Sequence, residues 1–154
     1  MTLLADLLSR EADMVSRFIA LLNEEQAALN SGTPSQLTEI GNQKLALVEQ
    51  LNQLEAQRGQ CVAPSTRADD PTGMIAWLAQ HPQDRQVGPL WEKLLGLARE
   101  AKALHELNGK LIAIRLKQTG DALAVLEQHK REHTFYGSDG QASQATGSRI
   151  VDSA

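Results

Sequence analysis

Apolar residues recur along most of this chain at alternating intervals of three and four, the spacing of one face of a helix. Leu8, Val15, Leu22 and Leu29 stand seven apart, with Leu4 and Phe18 on the same stripe and no proline between them. That pattern predicts a helix over about residues 3–30 with a coiled-coil-like seam. Glu11 and Glu25 fall on the alternate seam positions. The stripe is therefore imperfect, and it suits a bundle better than a strict two-stranded coil.

The run NSGTP breaks the first pattern, and a second begins. Thr33 is a good N-cap residue, Pro34 suits a first helical turn, and Gln36 stands where a capping box needs it. Ile40, Leu47 and Leu54 are again seven apart, joined by Leu37, Val48 and Leu51, so a second helix is expected over about 34–60. Two helices of similar length joined by a few residues become antiparallel neighbours.

From Cys61 to Gly88 the chain is rich in Pro, Asp, Thr and Gln. Within it, Asp70-Pro71 reads as a cap and first-turn proline for a short helix over 71–80, which carries Met74, Ile75, Trp77 and Leu78 and stops at His81-Pro82. Gly88-Pro89 then opens a third long helix, expected over about 89–129. Its stripe runs Leu90, Leu94, Leu97, Ala101, Leu104, Asn108 and Leu111, then drifts to Ile112, Leu116, Leu123 and Leu126. Such drift is what 3.6 residues per turn does to a seven-residue repeat. Asn108-Gly109 is a strong turn signal in the middle of it. A helical Gly costs about 1 kcal/mol, whereas Leu104, Leu107, Leu111 and Ile112 each contribute roughly 1.5–3 kcal/mol when buried, so a continuous helix is expected. Gly120 is a second weak point, where the helix would kink or restart on Asp121.

The expected fold is all-α: an elongated antiparallel bundle of three long helices over 1–133, with a short connector helix and a flexible Gly/Ser/Ala-rich tail over 134–154. Composition agrees, since only 3% of the 154 residues are aromatic and the core must be built from Leu and Ala. The formal charge of -4 argues against a general nucleic-acid footprint. One cysteine, Cys61, permits no internal disulfide and points to a reducing compartment. MTLLADLLSREADM does not read as a signal peptide, and no apolar run is long enough to span a membrane. The expectation is a cytoplasmic protein without membrane insertion.

Candidate chemistry is thin. HKREH over 129–133 matches the H-x-x-E-H zinc pattern, with His129 and His133 as ligands and Glu132 as base. A third ligand is missing, and basic residues in a last helical turn already have a reason in the helix dipole. No P-loop, nucleophile elbow or dinucleotide fingerprint is present. Trp77 and Trp91 read as core residues. Neither an enzyme nor a bound metal or cofactor is expected.

Two stretches carry a resemblance. LHELNGKLIAIRLKQTGDALAVLEQ (104–128) places Asn-Gly and an aliphatic pair midway along the last long helix, and FYGSDGQ (135–141) follows it. Together they resemble the FlgN family of flagellar export chaperones, whose C-terminal signature is Tyr-Gly-x-Asp-Gly-Gln. The resemblance implies a cytoplasmic chaperone that binds C-terminal helical segments of the hook-associated (hook–filament junction) proteins, prevents early assembly, and delivers them to the flagellar type III export apparatus. It implies a client-binding set of Asn108, Gly109, Leu111, Ile112, Leu116, Leu123 and Leu126. It also implies an export-gate docking set of Tyr136, Gly137, Asp139, Gly140 and Gln141.

A physical expectation accompanies it. At 1.5 Å per residue, helices of about 27 residues reach roughly 40 Å and one of about 40 residues reaches roughly 60 Å. If all start in register, the apolar face from Ile112 to Leu126 is left without cover. The competing expectation is a structural coiled-coil or adaptor protein that buries the same face in a homo-oligomer.

Overall fold

The computed structural model describes residues 2–63 and 69–136. It contains four helices: α1 (Leu3–Ser31), α2 (Ser35–Val62), α3 (Met74–Gln80) and α4 (Val87–Tyr136). The chain is all-α, as its periodicity predicts. It divides into two units, Met1–Gly109 and Lys110–Ala154, with the boundary inside α4 directly after the Asn-Gly pair.

In the first unit, the α1 seam lies in the core. Leu4, Leu8, Val15, Leu22 and Leu29 are all buried, together with Ala5, Ile19, Val62, Met74, Val87, Trp91, Leu94 and Ala101. A smaller cluster of Leu21, Ala28 and Ile40, with Leu37 and Leu47 against it, closes the end near the α1–α2 turn. Trp77 and Leu78 pack partly buried against the main core, as does Cys61.

The two glutamates that spoil the seam are buried as well. Glu11 accepts a 2.7 Å bond from Arg58 Nε, and Glu25 pairs with Lys44 Nζ at 3.1 Å. Glu11 and Glu25 are fourteen residues apart, and so are Arg58 and Lys44. Only one antiparallel register satisfies both pairs, because a one-residue slip leaves two carboxylates in the core without their cations. Each cation also lies over an aromatic ring, Arg58 above Trp91 at 5.1 Å and Lys44 above Phe18 at 5.8 Å. Burial pushes the Glu11 carboxyl above its ordinary range, and the bond from Arg58 opposes that rise.

The turns differ from the sequence expectation in three places. The Thr33–Gln36 capping box does not form: α2 begins at Ser35 with Pro34 before it and no side-chain cap. Thr33 instead completes the end of α1. Gly32 is left-handed at φ 71, and the amides of Gly32 and Thr33 both donate to the Ala28 carbonyl. Second, Pro71 is not in the first turn of α3. Asp70 Oδ2 accepts from the Ala76 amide at 3.0 Å across a turn through Gly73, φ 71, so the helix starts at Met74. Met74 is the connector's apolar plug and is fully buried.

Third, α4 is longer than the expected 89–129. It begins at Val87, capped by Asp84, whose Oδ1 accepts from the Gln86 and Val87 amides. Those two bonds hold the Asp84 carboxyl below its ordinary range. Pro89 still sits in the first turn, where its missing amide costs nothing. The helix then runs unbroken through Asn108-Gly109 and Thr119-Gly120 to Tyr136.

Candidate functional site

Within the first unit, two contacts give the direction of α4. Arg58 joins Glu11 to Trp91, and Asn108 Nδ2 donates to the Leu22 carbonyl at 2.8 Å and to Glu25 Oε1 at 2.9 Å. Advancing along α4 from Trp91 to Asn108 thus advances along α1 from Glu11 to Glu25. The two helices run the same way, and α2 runs against both.

Glu25, Lys44 and Asn108 make a polar layer shared by three helices. Asn108 is 1% exposed, and its Oδ1 has no hydrogen-bond partner among the described residues. Its orientation is fixed nonetheless, since a flipped amide would aim Oδ1 at a carbonyl and a carboxylate. The residue expected at the head of a client-binding set is therefore spent inside the bundle. Its helix propensity is poor, but its amide is matched to two acceptors on α1.

Beyond Asn108 the character of α4 changes. No residue from 109 to 131 is buried, and only Leu111 and Glu127 are half-buried. Of the predicted set, Ile112, Leu116, Leu123 and Leu126 are exposed by 38%, 68%, 57% and 63%. Gly109 is exposed, and a Cβ built on it or on Gly120 meets nothing within 4 Å. Among the described residues, none comes close to either glycine. Tyr136 is the last residue of α4; Gly137, Asp139, Gly140 and Gln141 lie outside the described residues.

Two exposed aliphatics, Ile114 and Val125, were missed by following a single stripe, and Leu107, expected to be buried beside Asn108, is 44% exposed. Counting 100° per residue would have found them, because they lie on one side of the helix, away from the Ile112 stripe. A seven-residue template keeps only one seam and discards apolar positions off it.

The first unit also carries an open apolar groove of about 340 Å³, with Val48 and Leu51 of α2 facing Trp91, Leu94, Leu95 and Ala98 of α4. The Glu11–Arg58 pair lines it as well.

Among the described residues, no three metal-capable side chains converge. His129 is exposed, and the rest of the HKREH candidate, the side chains of Glu132 and His133, lies outside what is described. No helix is long and apolar enough to cross a membrane among the described residues.

The family model described as "FlgN protein" matches residues 1–144. The chain belongs to the FlgN family. The flagella synthesis protein FlgN of Salmonella typhimurium is 27% identical over 145 residues, covering 93% of this chain and 92% of that one. The protein of the same name from Proteus mirabilis is 26% identical over 140 residues, covering 90% and 88%. No solved structure matches significantly. FlgN membership, first suggested by residues 104–128 and 135–141, extends over almost the whole chain and supports a role in flagellar assembly.

Proposed function

We propose that this FlgN-family chain is a cytoplasmic export chaperone that masks the C-terminal helical segments of hook-associated proteins and carries them to the flagellar type III export gate. One observation carries the reading: in the α4 segment after Gly109, Ile114, Leu116, Leu123, Val125 and Leu126 each have more than half of their surface in water, and Ile112 has 38%. A helix keeps such a ridge when something else covers it at work. An amphipathic client helix laid along Ile112, Leu116, Leu123 and Leu126 would cover it by the helix-in-groove mode.

Magnitudes decide what sort of hold this is. Burying four such side chains contributes roughly 6–12 kcal/mol. Losing the freedom of two molecules costs about 4–15 kcal/mol. The balance is a reversible grip, which suits a client that must be released. Masking needs no nucleotide, and the sequence carries no nucleotide-binding motif. The Tyr136-Gly137-Ser138-Asp139-Gly140-Gln141 signature docks on the gate, and the covalent link between gate site and client site raises the local client concentration there.

Paired variants test this. Leu123→Asp is expected to abolish binding of a hook-associated C-terminal segment in titration calorimetry while keeping helical content, because Leu123 lies outside the core. Tyr136→Ala is expected to bind that segment normally and to reduce its export. A Leu123→Asp chain that binds as well as the wild type would reject the client reading. A stable homo-oligomer that ignores the segment would favour the adaptor reading instead.

A further inference from the structure

We infer that the exposed part of α4 seats two helices of one client rather than one, and that these helices carry acidic residues beside their apolar faces. The inference rests on the client reading above and adds the form and charge of the partner.

The first observation is angular. At 100° per residue, Ile112, Leu116, Leu123 and Leu126 fall within about 80° of one another. Ile114 and Val125 lie about 150° from the centre of that group, with Leu111 and Ala122 between the two. The apolar arc therefore spans about 200°, and Ile114 and Val125 are exposed by 52% and 68%. A helix packed on one side against a core shows it an apolar stripe of about 100°, and this arc is twice as wide. A single client helix along the first ridge leaves the second in water.

The second observation is continuity in sequence. Val87, Trp91, Leu94, Ala101 and Asn108 form the buried stripe of α4, and the same three-and-four spacing leads on to Ile112, Leu116, Leu123 and Leu126. In the first unit that stripe is covered by two helices, α1 and α2. A client supplying two helices repeats that arrangement.

The third observation is charge. Residues 110–136 carry five basic side chains (Lys110, Arg115, Lys117, Lys130, Arg131) against Asp121, Glu127 and Glu132, a net +2 in a chain whose total is -4. Lys110 and Lys117 border the Ile114 side, and Arg115 lies between the ridges. A second copy of this segment would bring like charge against like; an acidic helix pair brings the opposite.

The experiment uses the full chain and a C-terminal segment of a hook-associated protein, with affinity read by calorimetry and backbone protection of the segment by hydrogen exchange. Ile114→Gln and Val125→Gln keep helix propensity and remove only the second ridge. Each is expected to weaken binding about tenfold, and the bound segment is expected to show two separate protected helices. Affinity should also fall as salt rises. If both Gln variants bind like the wild type while Leu123→Asp does not, a single helix suffices: the inference is overturned and the client reading stands. Should the chain alone form a dimer that Ile114→Gln dissociates, the second ridge belongs to a copy, and the inference again fails. Failure of the wild-type chain to bind the segment would remove the client reading and this inference together.

Discussion

The residues that decide the packing of the first unit are the charged ones in its core. Glu11–Arg58 and Glu25–Lys44 gain little net stability over apolar pairs of the same size, because both partners lose their hydration. Breaking one is another matter. Arg58→Ala is expected to destabilise the bundle by about 3 kcal/mol, since it leaves the Glu11 carboxylate buried without its counter-charge and removes the cation over Trp91. Replacing both Glu11 and Arg58 with leucine should recover most of that loss, as read by urea midpoints. If Arg58→Ala leaves the midpoint unchanged, the pair is not a constraint on register. Asn108 obeys the same logic: its side chain is tolerated in the core because α1 presents two acceptors to it.

At the scale of elements, the turn signals had meanings that depend on their neighbours. Thr33 and Gln36 have the spacing of a capping box, yet Gly32 claims the preceding turn for the end of α1, and Thr33 goes with it. In α4 the opposite holds: the helix runs through Asn108-Gly109 although Leu107 and Ile112 beside the pair are exposed rather than buried, and Asn108 is held by its two bonds to α1. Both glycines of its exposed half weaken the helix without serving any close approach among the described residues. Gly109→Ala and Gly120→Ala should each raise thermal stability of the helix by up to about 1 kcal/mol, measured by circular dichroism on heating. A client packed closely over Gly109 would lose affinity from the added methyl even as the helix gains. Loss of helicity on either change would show that the glycine is required locally.

For the whole molecule, the division after Gly109 separates a unit with its own core from a helical segment with none. A chain ending at Gly109 is expected to keep a cooperative urea transition and to lose client binding entirely, because every exposed aliphatic of the proposed ridge is gone. Retained binding by residues 1–109 would move the client site to the groove between Val48, Leu51 and Trp91. Non-cooperative unfolding of the fragment would mean that the distal half of α4 supports the core after all.

Periodicity determined the three long helices, their order, and the main apolar stripe of α1 and α4, because a 3.6-residue repeat is a local property that needs no partner to be read. The two sequence signatures likewise carried the family. What only tertiary structure decided is where polar residues and excess apolar ones belong. Glu11 and Glu25 look like flaws until Arg58 and Lys44 come from a helix running the other way. Asn108 looks like a binding residue until α1 lies beneath it. Leu107 looks like a core residue, and Ile114 and Val125 could as well be buried as exposed, until the packing around α4 is known. Burial and pairing are set by residues distant in the chain, and no local spacing encodes which of them will meet.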